Sequence, residues 1–495
     1  MIKYWLRVLL FLFLGSSTVA QNINPAEDEI FRPDEIAELH ITMTSVDSAF
    51  LFAEENVLSE DYLPVQFRFV NSLMDSLLAF DVGIRLRGNT SRYHPKKSLK
   101  IKFKEYGGEK FYNHKSFNLK AENNDPSFVR EMLSLKLFRD ANVAAARTHH
   151  TKVFLNGVYM GLYLNVEQID DEFTDTRYGE EDGNLYKCHY GASLESDNDI
   201  YDNVIFELET NKTANDRSRL EQFIQDLNLK QGGSFETLIN ETFEIDRFLK
   251  YLAVEALTGH WDGYSYNQNN FYLYENTQSG KIEFIPYDVD NTFGIDWIPD
   301  DWANRDVLNW AIEDEERPLV KKILSRPVYF NRYAYELKML LNSYFTEEQL
   351  YPQFDFYQDL LAEAVEEDNY FPRTFGFDLD DFQNSYSTSL GGHLPYGLKP
   401  YVSERVASAR EQVSTVVTSL GRPVSGFKFY PNPNDGRFLF LTSGKPGTIS
   451  IRDIQGRDYA FSLITSGNII KLEYNLPVGL YLLQNGTNIS KLVVN

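Results

Sequence analysis

Apolar and polar positions change period several times along the chain, and each change marks a predicted element. "FDVGIRLRG" (80–88), "KKSLKIKFKEY" (96–106) and "THHTKVFLNGVYMGLYLNVEQI" (148–169) alternate β-branched or aromatic residues with polar ones. This predicts strands, with turns at Gly88-Asn89 and Asn156-Gly157. Between them "PSFVREMLSLKLFRDAN" (126–142) spaces Phe128, Met132, Leu135 and Leu137 or Phe138 at the helical interval, so an amphipathic helix is expected. The apolar stretch before Gly259 reads as a further helix, and "KIEFIPYDVDNTFG" (281–294) as a strand over Ile282 to Tyr287. "YVSERVASAREQVSTVVTSLG" (401–421) predicts a helix stopped by Gly421 and Pro423. From Phe427 onward short alternating runs are divided by turns at Asn434-Asp435-Gly436, Gln455-Gly456 and Pro477-Val478-Gly479, the pattern of a small all-β sandwich over 427–495. The body, about 27–421, mixes strands and helices and is α+β.

The first twenty residues stand apart. Lys3 and Arg7 precede an apolar run from Val8 to Leu14, and small residues end at Thr18-Val19-Ala20, which predicts a secretory signal peptide over 1–20 removed before Gln21. Seven strongly apolar residues fall far short of the roughly 20 needed to span a bilayer, so no transmembrane segment is expected after processing. At 495 residues the chain exceeds what one core supports and divides into two or more domains. Cys188 is the only cysteine, so no intramolecular disulfide can form and the fold must hold by core size. A net charge of −24, from 48 Lys and Arg against 72 Asp and Glu, argues against a general nucleic-acid binder.

Candidate chemistry gathers in three places. "HWDGYSYN" has the spacing His-x-Asp-x-x-x-x-Asn of a protein-kinase catalytic loop, with Asp262 at the base position and Asn267 at the metal-amide position. His260 and the surrounding aromatics read better as structural. In "YDVDN", Asp288 and Asp290 are an i, i+2 pair at the end of a strand, where extended backbone would give them one face. Two carboxylates so placed suit a hard cation such as Mg²⁺ or Mn²⁺, and the alternative is an acidic turn that caps the next element. The third place is a basic island, "RLRGNTSRYHPKKSLKIKFKEY". Its Gly88-Asn89-Thr90-Ser91 link can offer N–H groups and hydroxyls to phosphate; Arg87 and Lys97 read as functional, and the alternating Lys100, Lys102 and Lys104 as a solvated strand face. Walker A, G-x-G-x-x-G, G-x-S-x-G and H-E-x-x-H motifs are all missing from the sequence.

Six segments in order, "GIRLRGNTSRYHPKKSLKIKF", "SFNLKAENNDPSFVREMLS", "VFLNGVYMGLYLNVEQIDDEF", "GNLYKC", "YLAVEALTGHWDGYSYNQNNFYLY" and "IPYDVDNTFG", together resemble the CotH kinase family, named for spore coat protein H. The resemblance implies an atypical protein-kinase-like domain that transfers the γ-phosphoryl group of ATP, with Mg²⁺ or Mn²⁺, to Ser or Thr hydroxyls of an exported acceptor protein. It implies Asp262 as catalytic aspartate, Asn267, Asp288 and Asp290 as metal ligands, Arg87, Lys96 and Lys97 as cofactor-binding residues of a basic strand, and Glu167 and Lys187 as cofactor-binding residues, by phosphate contact or ion pair. The tail, through "FYPNPNDGRF", "ISIRDIQGR", "LPVGLYLL" and "KLVVN", resembles a type IX secretion sorting domain. That likeness implies passage through the periplasm and outer membrane and a secreted or cell-surface product that engages the type IX machinery. A kinase-like fold kept for surface binding or adhesion is the alternative.

Overall fold

The computed structural model describes residues 22–414, 416, 429–430, 437–441, 449–453, 457–466, 469–485 and 488–494. The expected signal peptide, the turns at 434–436 and 455–456 and the expected domain boundary at 421–427 lie outside them. The chain divides into two compact units, Met1–Val417 and Thr418–Asn495.

Seven strands open the first unit: β1 (Ile36–Thr42), β2 (Leu63–Val70), β3 (Asp75–Leu86), β4 (Leu99–Lys102), β5 (Ser116–Lys120), β6 (Thr148–Leu155) and β7 (Val158–Val166). They form a closed barrel in the order β1-β2-β3-β4-β5-β7-β6. Six junctions are antiparallel, and the ring closes where β1 runs parallel to β6, with Ile36 opposite His150 and Ile41 opposite Leu155. Period two puts Leu39, Ile41, Phe67, Phe69, Ile84, Ile101 and Phe117 in the interior. The β6–β7 link turns at Asn156 and Gly157, both at positive φ (50° and 81°), which suits a tight hairpin. The β3–β4 link is longer than a tight turn at Gly88-Asn89, since a 3-10 turn over Thr90–Tyr93 interrupts it.

A second sheet, ordered β11-β10-β8-β9, holds β8 (Leu185–Cys188), β9 (Phe206–Leu208), β10 (Phe271–Glu275) and β11 (Ile282–Pro286). Helix Ile245–Thr258 keeps Asp246, Arg247 and Lys250 towards solvent in its first turns and is buried all round from Tyr251 onward, packing on helix Pro327–Leu340 with Glu347–Glu366 and Leu398–Ser414 nearby. Gly259 ends it at φ 73°, its N–H bonded to the Glu255 carbonyl, and a Cβ there would stand 2.3 Å from the Tyr401 hydroxyl. Glycine is required on both counts. Among its described residues the second unit contains two four-stranded sheets.

Candidate active site

Two cavities of about 710 and 670 Å³ adjoin in the first unit, and both are lined by Arg87, Gly88, Asn89, Lys120, Asp262, Tyr287 and Asp288. The first extends over Lys100, Glu167, Lys187, Cys188 and Tyr272. The second extends over Glu122, Asp290, Asn291, Trp297 and Phe375. Lys120, Asp262 and Asp288 therefore stand where the two chambers meet.

Asp262 arrives there on the loop that Gly259 starts. Gly263 opens the short helix Tyr264–Asn267, and the left-handed residues Gln268 (φ 53°) and Asn270 (φ 56°) turn the chain into β10. This tight path folds three amides back onto one carboxylate. Asn267 and Asn269 donate Nδ2–H to Asp262 Oδ1, the second at 3.4 Å, and Asn270 donates to Oδ2 at 2.9 Å. Asn291, from after β11, donates to Oδ2 at 3.2 Å. Burial pushes the Asp262 carboxyl up, the asparagine bonds pull it down, and the Asp288 charge adds to the rise. Glu255 fixes the loop from beneath: its buried carboxylate accepts from Ser265 Oγ and from Tyr251 Oη at 2.9 Å, and burial raises it to about 7.

Asp288 and Asp290 converge by a route other than strand alternation. The backbone has left β11, and Asp288 sits at φ 52°, a left-handed conformation that Asp tolerates. Both carboxylates meet Lys120 at the end of β5, Asp290 Oδ2 at 3.7 Å from Nζ, and Lys120 also pairs with Glu131 on helix Arg130–Asp140. Burial alone would lower the Lys120 ammonium, but Asp288, Asp290 and Glu131 outweigh it and hold the group charged. Asp288 is pushed up by burial and brought below the usual range by Lys120, Arg87 and Lys187. For Asp290 burial prevails over Lys120, with Asp288 and Glu131 adding to the rise. Glu122, at φ 50°, is buried with both carboxylate oxygens lacking a hydrogen-bond partner among the described residues. One lysine stands among five carboxyl groups, of which Asp262, Asp290, Glu122 and Glu131 are pushed up by burial, and hard oxygen donors of this kind fit Mg²⁺ or Mn²⁺.

The first cavity brings cations and acids together: Arg85, Arg87, Lys100 and Lys187 line it beside Glu60, Glu207 and Glu209. Arg87 donates Nη2–H to the Tyr287 hydroxyl at 3.0 Å, Lys187 Nζ lies 4.9 Å from the Tyr287 ring centroid, and Lys100 donates to Gln168 Oε1 at 2.9 Å. Burial and the charges of Arg87 and Arg85 push Lys100 down to about 8. Cations that depress one another in a cavity suit a polyphosphate. Lys100 thus overturns its reading as solvated strand face.

Three other expectations change, for Asn267, Lys96 and Lys97, and for Glu167 the structure takes the ion-pair alternative. Asn267 lines neither cavity and stands behind Asp262, orienting it, where a metal ligand was expected. Lys96 is a structural tie: its ammonium, 2% exposed, bonds Asp368 Oδ2 at 2.6 Å and the Leu162 carbonyl between the rings of Phe128 and Tyr163. Lys97 donates to the Arg92 carbonyl and lines neither cavity. Glu167 borders the first cavity, but its carboxylate is taken by Arg147 at 2.7 Å and by Arg177, whose charges hold it at about 2 against burial. Sequence reasoning passed over Lys120, Glu131, Glu122 and Asn291. The one signal for Lys120 is its place at the polar end of the strand in "SFNLK", and Glu131 sits beside the apolar stripe of its helix with nothing to mark it.

A family profile described as CotH kinase protein matches residues 84–391. The chain is 28% identical over 278 residues to "Inner spore coat protein H" of Bacillus subtilis (strain 168), covering 55% of this chain and 74% of that protein. "Spore coat protein homolog 1" and "Invasin CotH7", both of Rhizopus delemar, are 24% and 22% identical over 276 and 242 residues, which are 53% and 47% of this chain and 44% and 40% of theirs.

Proposed function

Because the chain belongs to the CotH kinase protein family, we propose that it transfers the γ-phosphoryl group of ATP to Ser or Thr hydroxyls of an exported protein. The observation that carries this reading is the meeting, at Lys120, Asp262 and Asp288, of a cavity that presents Arg87, Lys100 and Lys187 with one rich in acids. Phosphoryl transfer needs little more than such positioning and charge.

Arg87, Lys100 and Lys187 would hold the phosphates in the first cavity, and Asp288 and Asp290 would hold the metal. Bound Mg-ATP supplies the transferable phosphoryl group and the divalent charge that offsets its oxygens. Lys120, kept in place by Glu131, presents its ammonium at the junction. Asp262 takes the acceptor hydroxyl's proton as the hydroxyl oxygen bonds to the γ-phosphorus and the bond to the β–γ bridging oxygen breaks, leaving ADP. Four amides already fill its lone pairs, and the 3.4 Å bond from Asn269 is the longest, so that contact yields to the incoming hydroxyl.

The decisive test is label transfer from γ-labelled ATP with Mg²⁺ or Mn²⁺. Asp262→Ala should lower turnover by about 10²-fold or more while nucleotide still binds. Equal rates in variant and wild type would refute the assignment. The names spore coat and invasin among the relatives support a surface or exported location, and the invasin name favours a second reading, a binding protein without turnover. We propose the tail as a type IX sorting domain, supported by "GLYLL" of "LPVGLYLL" and "KLVV" of "KLVVN" falling within strands Gly479–Asn485 and Asn488–Val494. Deleting 418–495 should leave the product in the periplasm.

A further inference from the structure

We propose that Trp297 is a positioning residue which acts through Asn291, so that filling of the second cavity is coupled to the setting of the Asp262 carboxylate. The inference rests on the phosphoryl-transfer reading for its consequence and on hydrogen-bond chemistry for its mechanism.

Trp297 Nε1–H and Asn124 Nδ2–H both donate to Asn291 Oδ1, each at 3.1 Å. An indole N–H can only donate, so the oxygen of the Asn291 amide must face it. The nitrogen of the same amide is thereby turned to Asp262 Oδ2 at 3.2 Å. Asn267, Asn269 and Asn270 reach Asp262 from its own loop and line no part of the second cavity. Asn291 is the one donor to this carboxylate, among the described residues, that borders that chamber.

The indole is 52% exposed and forms a wall of the second cavity. Its centroid is 4.4 Å from His393 and 5.8 Å from Phe375, and Phe375 in turn meets His94 at 5.3 Å. His393 bonds the Asn124 carbonyl through Nε2 at 3.1 Å, so both donors to Asn291 are anchored in one aromatic cluster. An acceptor segment that brings a hydroxyl to Asp262 through this chamber would lie against that cluster. Movement of the indole is passed to the Asn291 amide and from there to the carboxylate, through two hydrogen bonds.

The test uses the full chain, Mg-ATP, dephosphorylated casein as acceptor probe, and indole ¹⁵N–¹H spectra in which Trp297→Phe assigns the Trp297 resonance. Asn291→Ala should lower kcat by about 10- to 100-fold with the KM for Mg-ATP unchanged within about twofold. Trp297→Phe should lower kcat by roughly three- to tenfold and raise the casein KM, and Trp297→His, whose ring N–H can donate, should recover part of kcat. Independently of turnover, the Trp297 indole resonance should shift in Asn291→Ala and in Asp262→Asn. An active wild type with Asn291→Ala at full kcat would overturn the coupling. A wild type that transfers no label speaks against kinase activity, and the spectra still decide the relay, which an unmoved Trp297 resonance in both variants would disprove.

Discussion

Lys100 shows how a single residue can serve binding at the expense of stability. Its ammonium is held near 8 by burial and by Arg87 and Arg85, below the ordinary 10.5, so the folded protein releases a proton that the unfolded chain keeps between those values. Stability on its account is lowest below pH 8 and rises as pH climbs towards 10.5. Lys100→Met should therefore raise the melting temperature of the nucleotide-free protein at pH 7, by about 1–3 kcal/mol in stability. The same change should weaken Mg-ATP binding roughly tenfold or more, as calorimetry would show. The sequence hid this because alternation assigns Lys100 and Lys102 to the same face without revealing what lies over it. Lys102 is 44% exposed and pairs with Glu105, whereas Lys100 looks into the cavity. Lys96 was illegible for a related reason: its partner Asp368 is remote in sequence, and no local pattern joins them.

At the scale of elements, apolar patterning identified β3, β4, β6, β7, β11 and helix Arg130–Asp140, with β4 showing plain alternation of buried and half-buried positions and β11 read from its apolar run and buried throughout. It failed where the backbone leaves regular geometry. The convergence of Asp288 with Asp290 depends on a left-handed residue, and the crowd of amides round Asp262 depends on two more. Helix Arg130–Asp140, which carries Glu131, is held at its start by a buried pair. Asp125 accepts from the Arg130 backbone N–H at 2.9 Å and pairs with its guanidinium, and both side chains are fully buried. Asp125→Ala would strand that charge and should destabilise the first unit by about 3–5 kcal/mol in denaturant unfolding, with loss of nucleotide binding at temperatures where the fold survives.

For the molecule as a whole, the surplus of carboxyl groups at the junction predicts a ligand-dependent stability. Mn²⁺ at about 100 times its Kd should stabilise the first unit by about 2.7 kcal/mol, read as a rise in Tm that EDTA reverses, and Asp290→Asn should remove most of it. A Tm indifferent to Mn²⁺ would speak against a metal at Asp288 and Asp290. The closed barrel has a consequence of another kind. Its last junction joins β1 to β6, strands separated by more than a hundred residues, and no strand between them can complete the ring. A chain made from its N-terminus therefore carries β1 without a partner on one side until residue 155 has emerged, and long-range pairings of this sort form slowly. Late ring closure keeps the N-terminal third threadable during synthesis, and once shut the ring covers both edges of β1, removing from it the template to which a second copy could add.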